Sequence, residues 1–207
     1  MIGVYGGTFD PVHEGHLGTA SEAGELTGCD RVLMIPAAVP PGKAPPRASA
    51  PQRLEMLQLA VADQSILQAD GCELERDGPS YTVETLKVLR QRELGSLLLI
   101  LGSDAFLNLE KWYCWRELFQ LAHILVAGRP GVACKPEGAL AEEFARRRVV
   151  DVQQLQTGEC GMVLQTVLTQ YPISSTRIRA DLGQGLAPEG LPGRVAEYIN
   201  NLNLYTD

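Results

Sequence analysis

The chain has 207 residues, 45% of them hydrophobic and 21% charged, with a formal net charge of −7. That length can bury a real core, and the composition is that of a globular protein rather than a disordered or fibrous one. The acidic balance excludes a broad nucleic-acid or anionic-membrane surface, which needs dense Lys/Arg, but it permits a small pocket of local positive potential.

Apolar runs bounded by Gly or Pro predict strands at Met1–Tyr5, Arg31–Ile35, Leu97–Leu101, Ala122–Ala127 and Val163–Leu168. Helical spacing of apolar residues predicts helices at Gly15–Leu26, Gln52–Ala62, Thr82–Leu94, Tyr113–Gln120 and Ala139–Arg148, and a closing helix with a short extension at Leu191–Tyr205. Strand and helix alternate, so the expected fold is α/β: a doubly wound, Rossmann-like parallel sheet with helices on both faces and ligands at the carboxyl ends of its strands. One domain spanning 1–207 is expected, with a C-terminal helical part from about 174 to 207 packed on it. Five prolines between Val39 and Pro51, with Gly42, Lys43 and Arg47 among them, predict an extended loop, a candidate lid.

Cysteines 29, 72, 114, 134 and 160 are odd in number and never in a C-x-x-C arrangement, which fits neither a disulfide framework nor a zinc site. No signal peptide precedes the first strand, and no apolar run approaches the roughly twenty residues that span a bilayer. A cytoplasmic protein with neither membrane nor nucleic-acid partners is expected.

Four clusters carry chemistry. In Tyr5-Gly6-Gly7-Thr8-Phe9-Asp10-Pro11-Val12-His13-Glu14-Gly15-His16, a strand ends in a glycine pair that lets backbone approach a ligand, and a helix begins. Two of the three histidines fall here, three residues apart, on one side of a first helical turn. A phosphate would meet N–H groups, the Thr8 hydroxyl and both imidazoles. A metal site completed by Asp10 or Glu14 is the rival, disfavoured because a helix N-terminus repels cations. Ser174-Ser175-Thr176, with Arg179 one turn later, reads as a helix cap and as a second anion cluster. Gly102-Ser103-Asp104 places a carboxylate at a strand end, suited to ribose hydroxyls or to capping. Trp112, Tyr113 and Trp115 concentrate aromatic surface in a chain with only 6% of it, and one of them could stack on a flat ligand. Two helix N-termini of this design make a polyphosphate ligand plausible. No Walker A loop, G-x-G-x-x-G fingerprint or G-x-S-x-G elbow is present.

Residues 6–16 resemble the Gly-Gly-Ser/Thr-Phe-Asp/Asn-Pro-x-His-x-Gly-His signature of the nucleotidyltransferases related to class I tRNA synthetases, and 173–179 resemble their Ile-Ser-Ser-Thr-x-Ile-Arg motif. Pro79–Leu86, Gly102-Ser103-Asp104 and Trp112-Tyr113 make the chain most similar to bacterial nicotinate-nucleotide adenylyltransferases. The resemblance implies transfer of AMP from ATP to nicotinate mononucleotide in NAD biosynthesis, giving deamido-NAD and pyrophosphate, by in-line attack without a covalent enzyme intermediate. It implies that His13 and His16 bind phosphate at the reacting centre, beside Gly6 and Gly7, and that Ser175, Thr176 and Arg179 grip the outgoing pyrophosphate. Gly102 and Asp104 would contact the adenosine ribose, and Thr8 and Phe9 the acceptor phosphate. Trp112 would stack on the pyridine ring, with Thr85 and the Tyr113 amide at its carboxylate. The family's Pro-Pro-His-Lys is here Pro40-Pro41-Gly42-Lys43, so only Lys43 carries over to the acceptor. Mg2+ is expected to arrive with ATP, and no protein metal site is expected. The alternatives are a sibling adenylyl- or cytidylyltransferase with another phosphate acceptor, and a non-catalytic nucleotide-binding regulator on the same fold.

Overall fold

The computed structural model describes residues 1–42, 44–128, 131 and 134–206. Seven strands form one sheet: β1 (Ile2–Gly7), β2 (Arg31–Pro36), β3 (Leu67–Ala69), β4 (Leu97–Gly102), β5 (His123–Gly128), β6 (Arg148–Val149) and β7 (Val163–Val167). Their order is β3-β2-β1-β4-β5-β7-β6, and every pair is parallel, with Ile2 opposite both Arg31 and Leu97. The chain winds outward from β1 in both directions, so the crevice at the switch point opens between the carboxyl ends of β1 and β4.

Alternate strand residues feed opposite cores, as the pleat requires. Val32, Met34, Leu98 and Ile100 join the core on one face, while Ile2, Val4, Leu33, Ile35, Leu97, Leu99 and Leu101 join that on the other. Strands buried on both faces read as continuous apolar runs, and β1, β2, β4, β5 and β7 coincide with the five predicted ones. The helices are α1 (Glu14–Thr27), α2 (Ala50–Val61), α3 (Thr82–Arg92), α4 (Ser103–Leu107), α5 (Leu118–Leu121), α6 (Gly138–Arg147), α7 (Ser175–Gly183) and α8 (Gly193–Asn201). Val195 and Ile199 of α8 enter the first of these cores, as does Tyr205 beyond it.

Two expectations need correction, and three short elements had none. The helix predicted over Tyr113–Gln120 is instead a turn, a short 3-10 segment at Trp115–Glu117 and the one-turn α5. Cys114 adopts φ 49°, a left-handed conformation that no α-helix accommodates. Pro51 belongs not to the proline-rich loop but to the first turn of α2, where its missing N–H costs nothing, behind a Ser49–Gln52 capping box. The β3 and β6 edges and the 3-10 segment Val152–Thr157 have no counterpart in the predicted elements.

Candidate active site

At the end of β1 the chain turns sharply. Phe9 adopts φ 49° and folds its ring back beneath Gly7, where an added Cβ would lie 2.8 Å from Phe9 Cζ. Any larger residue at 7 would expel that ring, which is 1% exposed. Gly6 faces open space. The turn is braced from α2 by Arg53, itself buried, which donates to the carbonyls of Thr8 at 2.7 Å, Ala38 at 3.3 Å and Ala48 at 3.2 Å. One guanidinium thus ties the end of β1 to both ends of the proline-rich loop. Arg53 stands on the apolar stripe of α2 with Met56, Leu57 and Ala60, and a cation in that register is the sequence signal that could have revealed it.

His13 occupies the N-cap of α1, and its backbone N–H donates to Nδ1 of His16 at 3.3 Å. The two rings stack with centroids 3.7 Å apart, and Phe9 meets the His16 ring edge-on at 5.0 Å. Because His16 Nδ1 accepts, the proton of its neutral ring sits on Nε2, available as a donor. Burial pushes the pKa of His13 down to about 4. Burial, and then the neighbouring His13, push that of His16 down to about 3. Both imidazoles are therefore neutral at pH 7 in the ligand-free protein. Nδ1 of His13 is buried without a partner.

The second motif is tied onto this turn. Ser174 caps α7 through the Arg177 N–H, and the Ser175 hydroxyl donates to the Pro11 carbonyl at 3.0 Å. Arg179 donates to the Asp10 carbonyl at 2.6 Å and to the Thr176 hydroxyl at 3.5 Å. Arg179 and Thr176 also line an open depression of about 430 Å³ with Arg47. Its two guanidinium groups and one hydroxyl suit an anion.

A larger cavity, of about 660 Å³, is walled by Gly7 and Thr8, the loop residues Pro40 to Gly42, the segment Ser80 to Thr82, and Lys111, Trp112 and Tyr113. A recess of about 80 Å³ adjoins it, bounded by Gly6, Gly7, Glu73, Thr85 and Trp112 among apolar side chains. Trp112 lines both. The loop is held across the cavity by Val39 and Ser80, which exchange a backbone bond of 2.9 Å and a Val39 N–H to Ser80 hydroxyl bond of 3.1 Å. Tyr113 is half exposed and stacks on Tyr81 at 4.6 Å, while Trp115 turns into the core. The three clustered aromatics thus have three destinations.

The Thr85 hydroxyl donates to the buried Glu73 carboxylate and receives a bond from Arg76 at 2.8 Å. Glu73, Arg76 and Lys111 were not singled out from sequence. The partners of Glu73 lie three and twelve residues away, in segments whose folding together no local pattern announces. Gly102 caps α4 at the end of β4, and Ser103 ties that end to β5 through the Ala127 carbonyl at 3.1 Å. Gly102 and Asp104 line neither cavity. Lys43 lies outside the described residues. Among the described residues, no group of three or more His, Cys, Asp or Glu could hold a metal ion.

A parallel sheet with this winding, carrying a glycine turn, a stacked histidine pair and a second helix N-terminus at its switch point, defines a nucleotidyltransferase of the cytidylyltransferase-like class. That family's profile matches residues 4–181. A protein of Dechloromonas aromatica named probable nicotinate-nucleotide adenylyltransferase is 44% identical, covering 99% of this chain and 97% of that one. One of the same name from Halorhodospira halophila is 46% identical over 95% and 93% of the two chains. The chain belongs to the nicotinate-nucleotide adenylyltransferase family. The fold is shared with the solved Plasmodium falciparum nicotinic acid mononucleotide adenylyltransferase complexed with NaAD, at a TM-score of 0.71, 16% identity and coverage of 99% and 96%.

Proposed function

We propose that the chain transfers AMP from ATP to nicotinate mononucleotide, forming deamido-NAD and releasing pyrophosphate. The observation that carries this reading is that one turn after β1 serves two separate sites. The stacked His13–His16 pair follows it, and Ser175 and Arg179, the latter lining the open depression, are bonded to its Pro11 and Asp10 carbonyls. Its Gly7 and Thr8 wall, with Trp112, a cavity that shares no lining residue with that depression and is large enough for a mononucleotide.

The acceptor phosphate is already ionised and nucleophilic at neutral pH. One of its oxygens attacks the α-phosphorus of ATP, the bond to the bridging oxygen breaks, and that oxygen leaves with its electron pair on pyrophosphate. No protein base is required. Catalysis is then positioning of two anions and stabilisation of charge on the α-phosphate and the leaving group. In this reading Gly6, Gly7 and the N–H of His16 Nε2 face the α-phosphate, with His13 beneath. Thr176 and Arg179, with Ser175 holding their helix in place, receive the pyrophosphate. Gly102 and Asp104 meet the adenosine ribose, and Thr8 and Phe9 present the turn to the acceptor phosphate. Trp112 stacks on the pyridine ring, whose carboxylate lies by Thr85 and the Tyr113 amide. Mg2+ accompanying ATP would be held by phosphate oxygens and water, a fit for a site without a carboxylate cluster among its described residues, and would supply charge neutralisation. No helix among the described residues is long and apolar enough to cross a membrane, and we place the reaction in the cytoplasm.

The test compares AMP transfer from ATP to nicotinate mononucleotide, nicotinamide mononucleotide and phosphopantetheine, with dinucleotide product and pyrophosphate both quantified. Fastest transfer to nicotinate mononucleotide is expected. Exclusive transfer to phosphopantetheine would reassign the acceptor, and no transfer to any of the three would make the chain a nucleotide-binding regulator.

A further inference from the structure

Asp10 lies in the opening motif, yet the reaction above gives its carboxylate no task. It is 5% exposed and accepts three hydrogen bonds. Oδ2 accepts from the Arg47 N–H at 2.9 Å, and Oδ1 accepts from the Ala48 N–H at 3.1 Å. Oδ1 also accepts from the hydroxyl of Tyr205 at 2.7 Å, a bond that joins residues 195 apart in sequence. Arg179 Nη1 stands 3.9 Å from Oδ2, outside hydrogen-bond reach, while donating to the Asp10 backbone carbonyl at 2.6 Å.

Tyr205 is itself held firmly. It is 5% exposed and packs into the core with Val195 and Ile199, and it adopts φ 67°, a conformation that an aromatic residue keeps only where its surroundings impose it. Burial and the adjacent Asp10 carboxylate raise its pKa well beyond the usual phenol range, so the hydroxyl keeps its proton.

We propose that Tyr205 is a positioning residue of the nucleotidyl-transfer site: its hydroxyl restrains the Asp10 carboxylate and so keeps the Arg179 guanidinium available to the outgoing pyrophosphate. Without that bond, Oδ1 retains only the Ala48 N–H, and the carboxylate can rotate toward the cation 3.9 Å away. A carboxylate–guanidinium pair competes directly with phosphate for the same donors. The last residues of the chain thereby act on a site built near its beginning. The proposal rests on the reading of Arg179 as the pyrophosphate-binding group.

The test uses Tyr205→Phe in the full chain, which keeps the packed ring and removes only the hydroxyl. Binding of inorganic pyrophosphate is measured by calorimetry, and KM is measured separately for ATP and for nicotinate mononucleotide. Loss of one hydrogen bond to a charged group predicts about a tenfold weaker pyrophosphate Kd and a similar rise in the ATP KM, with the acceptor KM within about twofold of wild type. Asp10→Asn is the companion. Its amide oxygen still accepts from Tyr205 and the Ala48 N–H but carries no charge to compete for Arg179. Its amide nitrogen gives up only the Arg47 N–H bond, so in a variant of native fold the pyrophosphate affinity should equal or exceed that of wild type. A folded Tyr205→Phe with unchanged pyrophosphate affinity overturns the proposal. So does an equal loss for both substrates, which is what mere loosening of the fold would give. Should Tyr205→Phe fail to fold, weaker pyrophosphate binding by Asp10→Asn overturns it. Absence of AMP transfer by a wild type that binds pyrophosphate would instead remove the proposed function and leave the positioning result standing.

Discussion

His16 shows how one residue type is tuned by its place. In an unfolded chain an imidazole titrates near 6.5, whereas burial brings His13 down to about 4, and burial followed by the charge of the neighbouring His13 brings His16 down to about 3. Between those values and 6.5 the unfolded chain binds protons that the native protein does not. Stability is therefore unaffected by this pair above pH 6.5 and falls as pH drops from 6.5 toward 3. In His16→Asn, which can still accept the His13 N–H, the fall in unfolding free energy between pH 6.5 and 4 should be shallower than in wild type. Parallel pH–stability curves would show that the pair is not the cause. The same variant should lose about 10²–10³ in kcat at pH 7 while remaining folded, the usual cost of one preorganised donor. Near-normal turnover would remove His16 from the reacting centre. This pair could be seen in the sequence because its members, the glycine turn and the helix start are contiguous. The partners of Arg53, Glu73 and Tyr205 could not: these side chains act on Thr8, Thr85 and Asp10 across 45, 12 and 195 residues, and a linear chain records none of those meetings.

Among the elements, α1 carries the histidines, and its seat on the sheet decides where they stand. Val32 of β2 is fully buried between two glycines: a Cβ on Gly24 of α1 would lie 2.7 Å from its Cγ2, and one on Gly3 of β1 would lie 2.9 Å from it. The helix approaches the sheet this closely only because position 24 has no side chain. Gly24→Ala gains about 1 kcal/mol of helix propensity but forces overpacking against a β-branched residue that cannot rotate away, at about 1–3 kcal/mol. A net loss of about 1–2 kcal/mol is expected in denaturant unfolding. In a Val32→Ala background the same substitution should be neutral or stabilising, since the methyl groups it strikes are gone. Equal costs in both backgrounds would place the strain elsewhere. Elements of this kind, long and buried, were legible from apolar periodicity to within two or three residues. β3 and β6, of three and two residues, are too short to carry any period. The turn at Cys114 was hidden because helical spacing continues through it, and only the left-handed backbone reveals the break.

At the scale of the whole molecule, the parallel winding brings three distant segments to one crevice. These are the turn after β1, the Ser80–Thr85 segment entering α3, and the stretch from α4 to Trp112 that follows β4. Trp112 is where they converge, since its side chain walls both the 660 Å³ cavity and the recess holding Glu73 and Thr85. The Arg179 depression shares none of those lining residues. Binding of the two substrates should therefore be separable by substitution at this one position. Base–aromatic stacking contributes about 1–3 kcal/mol, so Trp112→Ala should raise the KM for nicotinate mononucleotide by about 5- to 100-fold. The KM for ATP and the affinity for pyrophosphate should stay within about twofold, because the turn after β1 is braced independently by Arg53. Trp112 packs against the core only at its edge, so the unfolding midpoint should move far less than it would for a fully buried tryptophan. An unchanged acceptor KM would mean that the ring sits elsewhere in the cavity, and the paired walls of Tyr81 and Tyr113, stacked 4.6 Å apart, would then be the surface to probe next.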